Sequence, residues 1–317
     1  MRAAVFTYRE EARASASLAG GLARWLAAEP SAVSVEYTVY RVVEPGLLVQ
    51  RLPDPEASAW WRPKLRLIRV GERLCSYREG VWTGTGTVRY CTLRASGLQG
   101  YCKVHENSPK ALYELCAQGV DAACKKAEEL VGDETFSVYI LDYGGQKLKV
   151  GLTQSWRLLW RVAEQPHVAA AEIFQGRLTE ARNLERRLGR GKVATEGAGI
   201  RIRERLNLSV ARLREYSGAV ERAAYRLAEL AARLGLRGTL RSFTVLPRTG
   251  LDWVTSVRLA RSLDELLGLN LELVDYWGGL LLFRVDSDGV VAVRKDELLH
   301  REIELVPLGG SRGSAQP

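Results

Sequence analysis

From Ser137 to Glu185 strand-like runs give way to helical spacing, and the rest of the chain reads as attachment to this stretch. Ser137-Val138-Tyr139-Ile140-Leu141 is rich in β-branched and aromatic residues. After Tyr143-Gly144-Gly145 it is followed by a second such run, Lys147-Leu148-Lys149-Val150-Gly151-Leu152-Thr153. Two runs joined by glycines make a hairpin. Arg157, Trp160 and Arg161 then share one side of a helical turn, and Ala181, Leu184, Glu185 and Leu188 mark a second, better-formed helix. The expected order is strand, strand, helix, a short connection and helix.

With Ser137-Val138-Tyr139 as a first triplet, Lys149-Val150-Gly151 as a second, Arg157 on the first helix and Glu185 on the later one, this stretch resembles the GIY-YIG nuclease superfamily. The resemblance implies a phosphodiester-cleaving site. In it Glu185 would hold Mg²⁺ or Mn²⁺, Arg157 would clamp the scissile phosphate, and Tyr139 would orient or deprotonate the attacking water. Two positions depart from the pattern. Lys149 replaces the second tyrosine, and Arg161 stands where a tyrosine or histidine is expected one turn after the arginine. Both changes add positive charge and remove proton carriers, which favours binding over cleavage. Lys149 serves as a base only if its pKa is strongly lowered. Asn207 occupies the place of a late asparagine found in some members, and a helix N-cap is its expected role. His167, in the connection after Pro166, is expected to be exposed.

Upstream of the hairpin lie Cys75, Cys91, Cys102 and His105, spaced C-x15-C-x10-C-x2-H. Three thiolates and an imidazole form a closed tetrahedral set for a structural Zn²⁺, and the x2 pair lets one tight turn present two ligands. Gly97 and Gly100 precede that turn. Cys116 and Cys124 are the alternatives to Cys75 as the fourth ligand. They are seven intervening residues apart in a helical segment from Pro109 to Leu130 and are otherwise expected to be small buried thiols. Five cysteines without an export signal point to thiols or metal ligands rather than a disulfide framework. A Cys/His knuckle ahead of this core resembles an uncharacterised prokaryotic family with the same two parts.

The formal net charge is +9. From Arg177 to Arg205 the chain carries Arg177, Arg182, Arg186, Arg187, Arg190, Lys192, Arg201, Arg203 and Arg205 against Glu180, Glu185, Glu196 and Glu204. Arg161, Arg182, Arg186, Arg187, Arg190 and Lys192 are the expected contacts to DNA or RNA, since neutralised phosphates release counterions and give sequence-independent affinity. A solvated arginine-rich helix is the plain alternative.

The remaining chain suggests a multi-domain α+β protein. An accessory α+β segment spans 1–70, with a helix from Ala14 to Glu29 and strands at Val33–Val39, Gly46–Val49 and Leu65–Ile68 that pair together. The knuckle and helical segment occupy 71–132, and the GIY-YIG-like core 133–200. In 201–308 a heptad seam through Leu206, Val210, Leu213, Ser217, Val220, Ala224, Leu227, Ala231 and Leu234 predicts one helix of about 30 residues. This seam buries within the chain or against a second copy. Strands at Leu240–Leu246, Leu271–Val274, Gly279–Val285 and Gly289–Val293 then form a small antiparallel β domain, and 309–317 is a disordered tail. No apolar run reaches membrane-spanning length, so a cytoplasmic protein is expected. Nucleic-acid binding ranks first, metal-dependent cleavage within it, and a structural or assembly role last.

Overall fold

The strand Phe136–Asp142 is buried along its whole length. Both of its faces are covered, and its apolar run is accordingly continuous rather than alternating. The expected hairpin forms around it: Phe136–Asp142 pairs antiparallel with Leu148–Gln154, from Phe136 opposite Gln154 to Leu141 opposite Lys149. In this computed structural model, which describes residues 3–17, 33–52, 54, 56–82, 87–97, 99–190, 194–195, 202–215, 218–286 and 289–308, the chain is an α+β protein with mixed sheets. It divides into two units. A core unit comprises Arg9–Arg41 and Gly119–Leu246, and a second unit comprises Met1–Tyr8, Val42–Gln118 and Pro247–Pro317.

In the core unit the other edge of Phe136–Asp142 pairs antiparallel with Ala169–Gly176, a strand in the stretch expected to be only a connection between two helices. Alanine is a poor strand former, so Ala169, Ala170 and Ala171 give no local strand signal. Their small size serves packing instead. All three are fully buried, and the helix Ala219–Arg233 lies against this strand with Ala223, Ala224, Ala228 and Ala231 buried. The sheet continues through Gly238–Leu246, antiparallel to Ala169–Gly176 and parallel to the first part of Val33–Gln50, with Gly238 opposite Val33 and Leu246 opposite Arg41.

Several expectations are corrected. The single heptad helix is two helices, Ile202–Glu215 and Ala219–Arg233, because Gly218 takes a left-handed conformation at φ 86°. Its seam positions Leu206, Val210, Ala224, Leu227 and Ala231 are buried within the chain. Ala14 to Ser17 belong to the strand Ala3–Ser17, which pairs with Val33–Gln50, and the rest of the expected Ala14–Glu29 helix lies outside the described residues. Lys192, the tail at 309–317 and Ser287-Asp288 lie outside them as well.

The second unit holds a six-stranded sheet in the order Arg258–Leu259, Gly289–Arg294, Leu280–Val285, Asn270–Trp277, Lys64–Arg73, Arg301–Pro307, antiparallel except for the first pair. Three of the four strands expected after the heptad seam lie in this sheet. Leu240–Leu246 belongs to the core unit, and Leu65–Ile68 pairs here rather than with Val33–Val39. Asp275, fully buried, accepts from the amides of Arg248 (2.9 Å), Thr249 (2.7 Å) and Tyr276 (2.8 Å) and from Trp253 Nε1 (3.2 Å), tying the turn after Leu246 to this sheet. A satisfied carboxylate of this kind is architectural. Among the described residues no helix is long and apolar enough to cross a membrane.

Candidate metal centre and buried polar cluster

Cys75 follows the strand Lys64–Arg73, Cys91 follows Val88–Tyr90, and Cys102 and His105 sit on the turn leading into the helix Pro109–Ala117. Backbone bonds lock these pieces together: Cys75 N donates to Leu93 O (2.8 Å), Cys91 N to Tyr77 O (3.1 Å) and His105 N to Cys102 O (2.9 Å). Their four ligand atoms lie within 4.8 Å of one another and form a group that can hold a metal ion. Cys91 Sγ is 3.9 Å from Cys102 Sγ, and His105 Nδ1 is 3.3 Å from Cys102 Sγ and 3.7 Å from Cys75 Sγ. A tetrahedral metal such as zinc, with bonds of about 2.3 Å to sulfur and about 2.0 Å to nitrogen, needs edges of about 3.7 Å and about 3.5 Å. The three separations of 3.3, 3.7 and 3.9 Å are close to those edges, and all four atoms lie within 4.8 Å of one another.

The surroundings fit the same chemistry. The His105 ring stacks on Tyr77 with centroids 3.8 Å apart, which fixes Nδ1 toward the sulfurs. Burial opposes ionisation of Cys102, but hydrogen bonding to Cys75 and from the amides of His105 and Val104 outweighs it and holds this thiol below its usual range. Cys91 is pushed up to about 11, first by burial and then by the charges of Cys75 and Cys102. A dication among them would turn that mutual repulsion into attraction. Cys75, Cys91 and Cys102 are free thiols, whereas Cys116 and Cys124 are disulfide-bonded. That pair was expected as buried free thiols or substitute ligands. Bonded sulfurs can be neither.

A second cluster lies in the core unit. Tyr139 stands opposite Gly151 in the hairpin, and a Cβ at Gly151 would sit 2.4 Å from the Tyr139 hydroxyl. Glycine is required there because the phenol lies across the strand. The hydroxyl accepts from Gln165 Nε2 at 2.7 Å, and Gln165 Oε1 accepts from Lys149 Nζ. Gln165 is thus the bridge between two of the expected catalytic residues, and nothing in its sequence context marks it. Burial, followed by the positive charges of Arg161 and Arg205, lowers Lys149 to about 7, while Glu185 pulls the other way. Burial likewise raises Tyr139. Glu185 is paired with Arg182 Nη1 at 2.5 Å, with only 9% and 6% of these side chains exposed. Tyr139, Lys149, Arg161 and Glu185 therefore share one electrostatic neighbourhood. Arg157 is held by Glu164 at 3.3 Å, as Arg161 is at 3.0 Å.

Of the other basic residues expected on the surface, Arg182 is buried and Arg186 is ion-paired with Asp121 and donates to Gly119 O at 3.1 Å. Arg187 and Arg190 are exposed on the last turns of the helix Leu178–Arg190. Asn207 is exposed inside Ile202–Glu215, not at its N-cap.

No protein-family model, curated protein or solved structure matches this chain. The chemistry is read from its own residues.

His167, expected to be exposed, is fully buried. Its Nδ1–H donates to Gln165 O at 2.8 Å and its Nε2 accepts from Val245 N at 3.0 Å, a pattern that needs the neutral ring. Burial lowers its pKa to about 4 from 6.5, with the bond to Gln165 opposing. Between these values the unfolded chain binds a proton that the folded chain does not, so stability falls as pH drops through that window. The loss attributable to this ring is on the order of 3 kcal/mol. Urea titrations at pH 7 and pH 4 will show a smaller acid loss for His167→Gln than for the parent chain. An equal loss in both would place the acid sensitivity elsewhere.

Proposed function

We propose that the protein binds nucleic acid and is held in shape by a structural zinc ion, with the Phe136–Arg190 region as a GIY-YIG-like core. The observation carrying this reading is the split along the helix Leu178–Arg190. Its inner side pairs Arg182 with Glu185, and Arg187 and Arg190 are exposed on a chain of net charge +9. Such arginines meet phosphates at little desolvation cost and give binding that weakens with salt. Supporting the core assignment, the hairpin and the two helices beside it gather Tyr139, Lys149, Arg161 and Glu185 into one neighbourhood.

Duplex and single-stranded DNA and RNA are expected to bind tightly at about 50 mM salt and at least tenfold more weakly at about 200 mM. Arg187→Glu with Arg190→Glu should weaken unrelated sequences alike. Affinity that ignores both salt and these reversals would leave the helix a solvated face.

Cleavage is the second reading, favoured by Lys149. An amine with a pKa of about 7 is substantially neutral at physiological pH and can accept a proton, which an ordinary lysine cannot. Mg²⁺ or Mn²⁺ would be held by Glu185, and that requires its release from Arg182. The same binding reactions, supplied with either metal, test this directly. Product formation should rise as pH passes 7 and vanish in Lys149→Met, and intact substrate at every pH would leave a binding protein.

A further inference from the structure

Within the core unit a cleft of about 1000 Å³ opens between the turn from Asp142 to Lys147 and the helices Ile202–Glu215 and Ala219–Arg233. That volume suits a nucleotide-sized molecule. Val168 and Leu208 contribute apolar lining, while Lys147, Arg212, Arg222 and Arg226 face a single carboxylate, Asp142. Asp142 is already engaged. It accepts from Gly144 N at 2.7 Å and pairs with Arg226 at 3.2 Å, and Arg226 also donates to Gly145 O at 2.8 Å and to Gln146 O.

Arg226 and Asp142 thus build the wall rather than the binding surface. Gly144 completes it. Its φ is 85°, and a Cβ there would lie 2.6 Å from Arg212 Cγ, so the turn presses against the helix in a way other residues resist. Lys147, Arg212 and Arg222 are exposed at the opening, Arg212 with its Nε donating to Gly144 O at 3.3 Å. Arg212 approaches Glu215 at 3.5 Å with about half of each side chain exposed, a weak and screened pair. Ala219, the first residue of a 15-residue helix, also lines the cleft, and Gly218 before it supplies no side-chain cap. The first-turn amides and the positive end of that helix add to the field of the three cations, with Glu221 in the same turn opposing them.

We propose that this cleft binds a phosphate ester, with the phosphate at Lys147, Arg212, Arg222 and the helix start and the organic part on the apolar lining. A phosphate carries more charge than a carboxylate and offers oxygens to several donors at once, which matches a cleft lined by three exposed cations. Its source is either a free nucleotide-sized ester or a phosphodiester of a bound polynucleotide. These residues are separate from Arg187 and Arg190, so this inference and the nucleic-acid reading of that helix fail independently.

The test is calorimetric titration of the full chain with AMP, inorganic pyrophosphate and a single-stranded oligonucleotide of about 12 nucleotides. Arg222→Glu should weaken AMP and pyrophosphate by about tenfold or more, and the neutral, exposed change Lys147→Gln should weaken them in the same direction. Arg187→Glu with Arg190→Glu should leave both unchanged. If only the oligonucleotide binds and Arg222→Glu weakens it as much, the phosphate belongs to the polynucleotide. Binding of none of the probes by the folded chain, or affinities unchanged in both cleft variants, overturns the proposal.

Discussion

Purified protein is expected to carry one zinc ion per chain and to melt about 20 °C or more lower once a chelator has removed it. The expectation rests on a cage of four donor atoms that all lie within 4.8 Å of one another, three of whose separations are 3.3, 3.7 and 3.9 Å. Three strands or turns distant in sequence converge on it, so the metal replaces much of the core that this small region lacks. Cys75, Tyr101, Cys102 and Ala111, with Tyr77 and Cys91 beside them, form its local apolar cluster among the described residues. Zinc binding to comparable cages supplies on the order of 10 kcal/mol at neutral pH, which is folding energy when no site exists in the unfolded chain. Cys102→Ser should lose the metal and most of that stability, because this thiol anchors the x2 turn. Cys124→Ser should keep its zinc, since that sulfur is bonded elsewhere. Elemental analysis and differential scanning calorimetry read both outcomes. Metal-free protein with unchanged melting would remove zinc from the account.

Arg182→Met is expected to cost about 3 to 5 kcal/mol, because it strands the buried Glu185 carboxylate without its guanidinium partner. Arg182→Met with Glu185→Leu should recover most of that loss, since two apolar side chains of similar volume need no pairing. Urea unfolding of the three proteins measures the coupling. A loss under 1 kcal/mol for the single change would mean that the pair is more hydrated than its exposure indicates. The result also bears on metal-dependent cleavage. The stronger the coupling, the more a Mg²⁺ ion must offset before Glu185 can serve it, and the more binding without cleavage becomes the economical reading.

What the sequence made legible were features carried by short spacings. The C-x2-H turn and the glycine-closed hairpin are local, and their residue types follow from the geometry they serve. Ala169–Gly176 was illegible because its alanines were selected for close contact with the helix Ala219–Arg233, and packing overrode propensity. Gly218 fell between seam positions of a continuous heptad count and therefore left no gap in it, although its left-handed backbone breaks the helix. Ala14 to Ser17, expected to begin a helix, belong to the strand Ala3–Ser17, whose backbone pairs with the long neighbouring strand. Gln165 acquires its role only when the chain brings Lys149 and Tyr139 to either side of its amide. A bridging group of this kind has no local pattern to find.

The strand Lys64–Arg73 has partners that the ribosome delivers very late. Leu65 faces Leu271 on one side and Pro307 on the other, so a nascent chain carries this strand with both edges open through most of its synthesis. The four metal ligands emerge soon after it, between Cys75 and His105. Metal capture can therefore order the turns that follow Arg73 while the sheet, in which Leu65 and Leu67 end almost wholly buried, is still waiting. The consequence is a timing dependence. Cells short of metal would hold a half-made chain in which neither this strand nor the turns after it are ordered, and a chain stopped short of Arg301 would keep one edge open permanently.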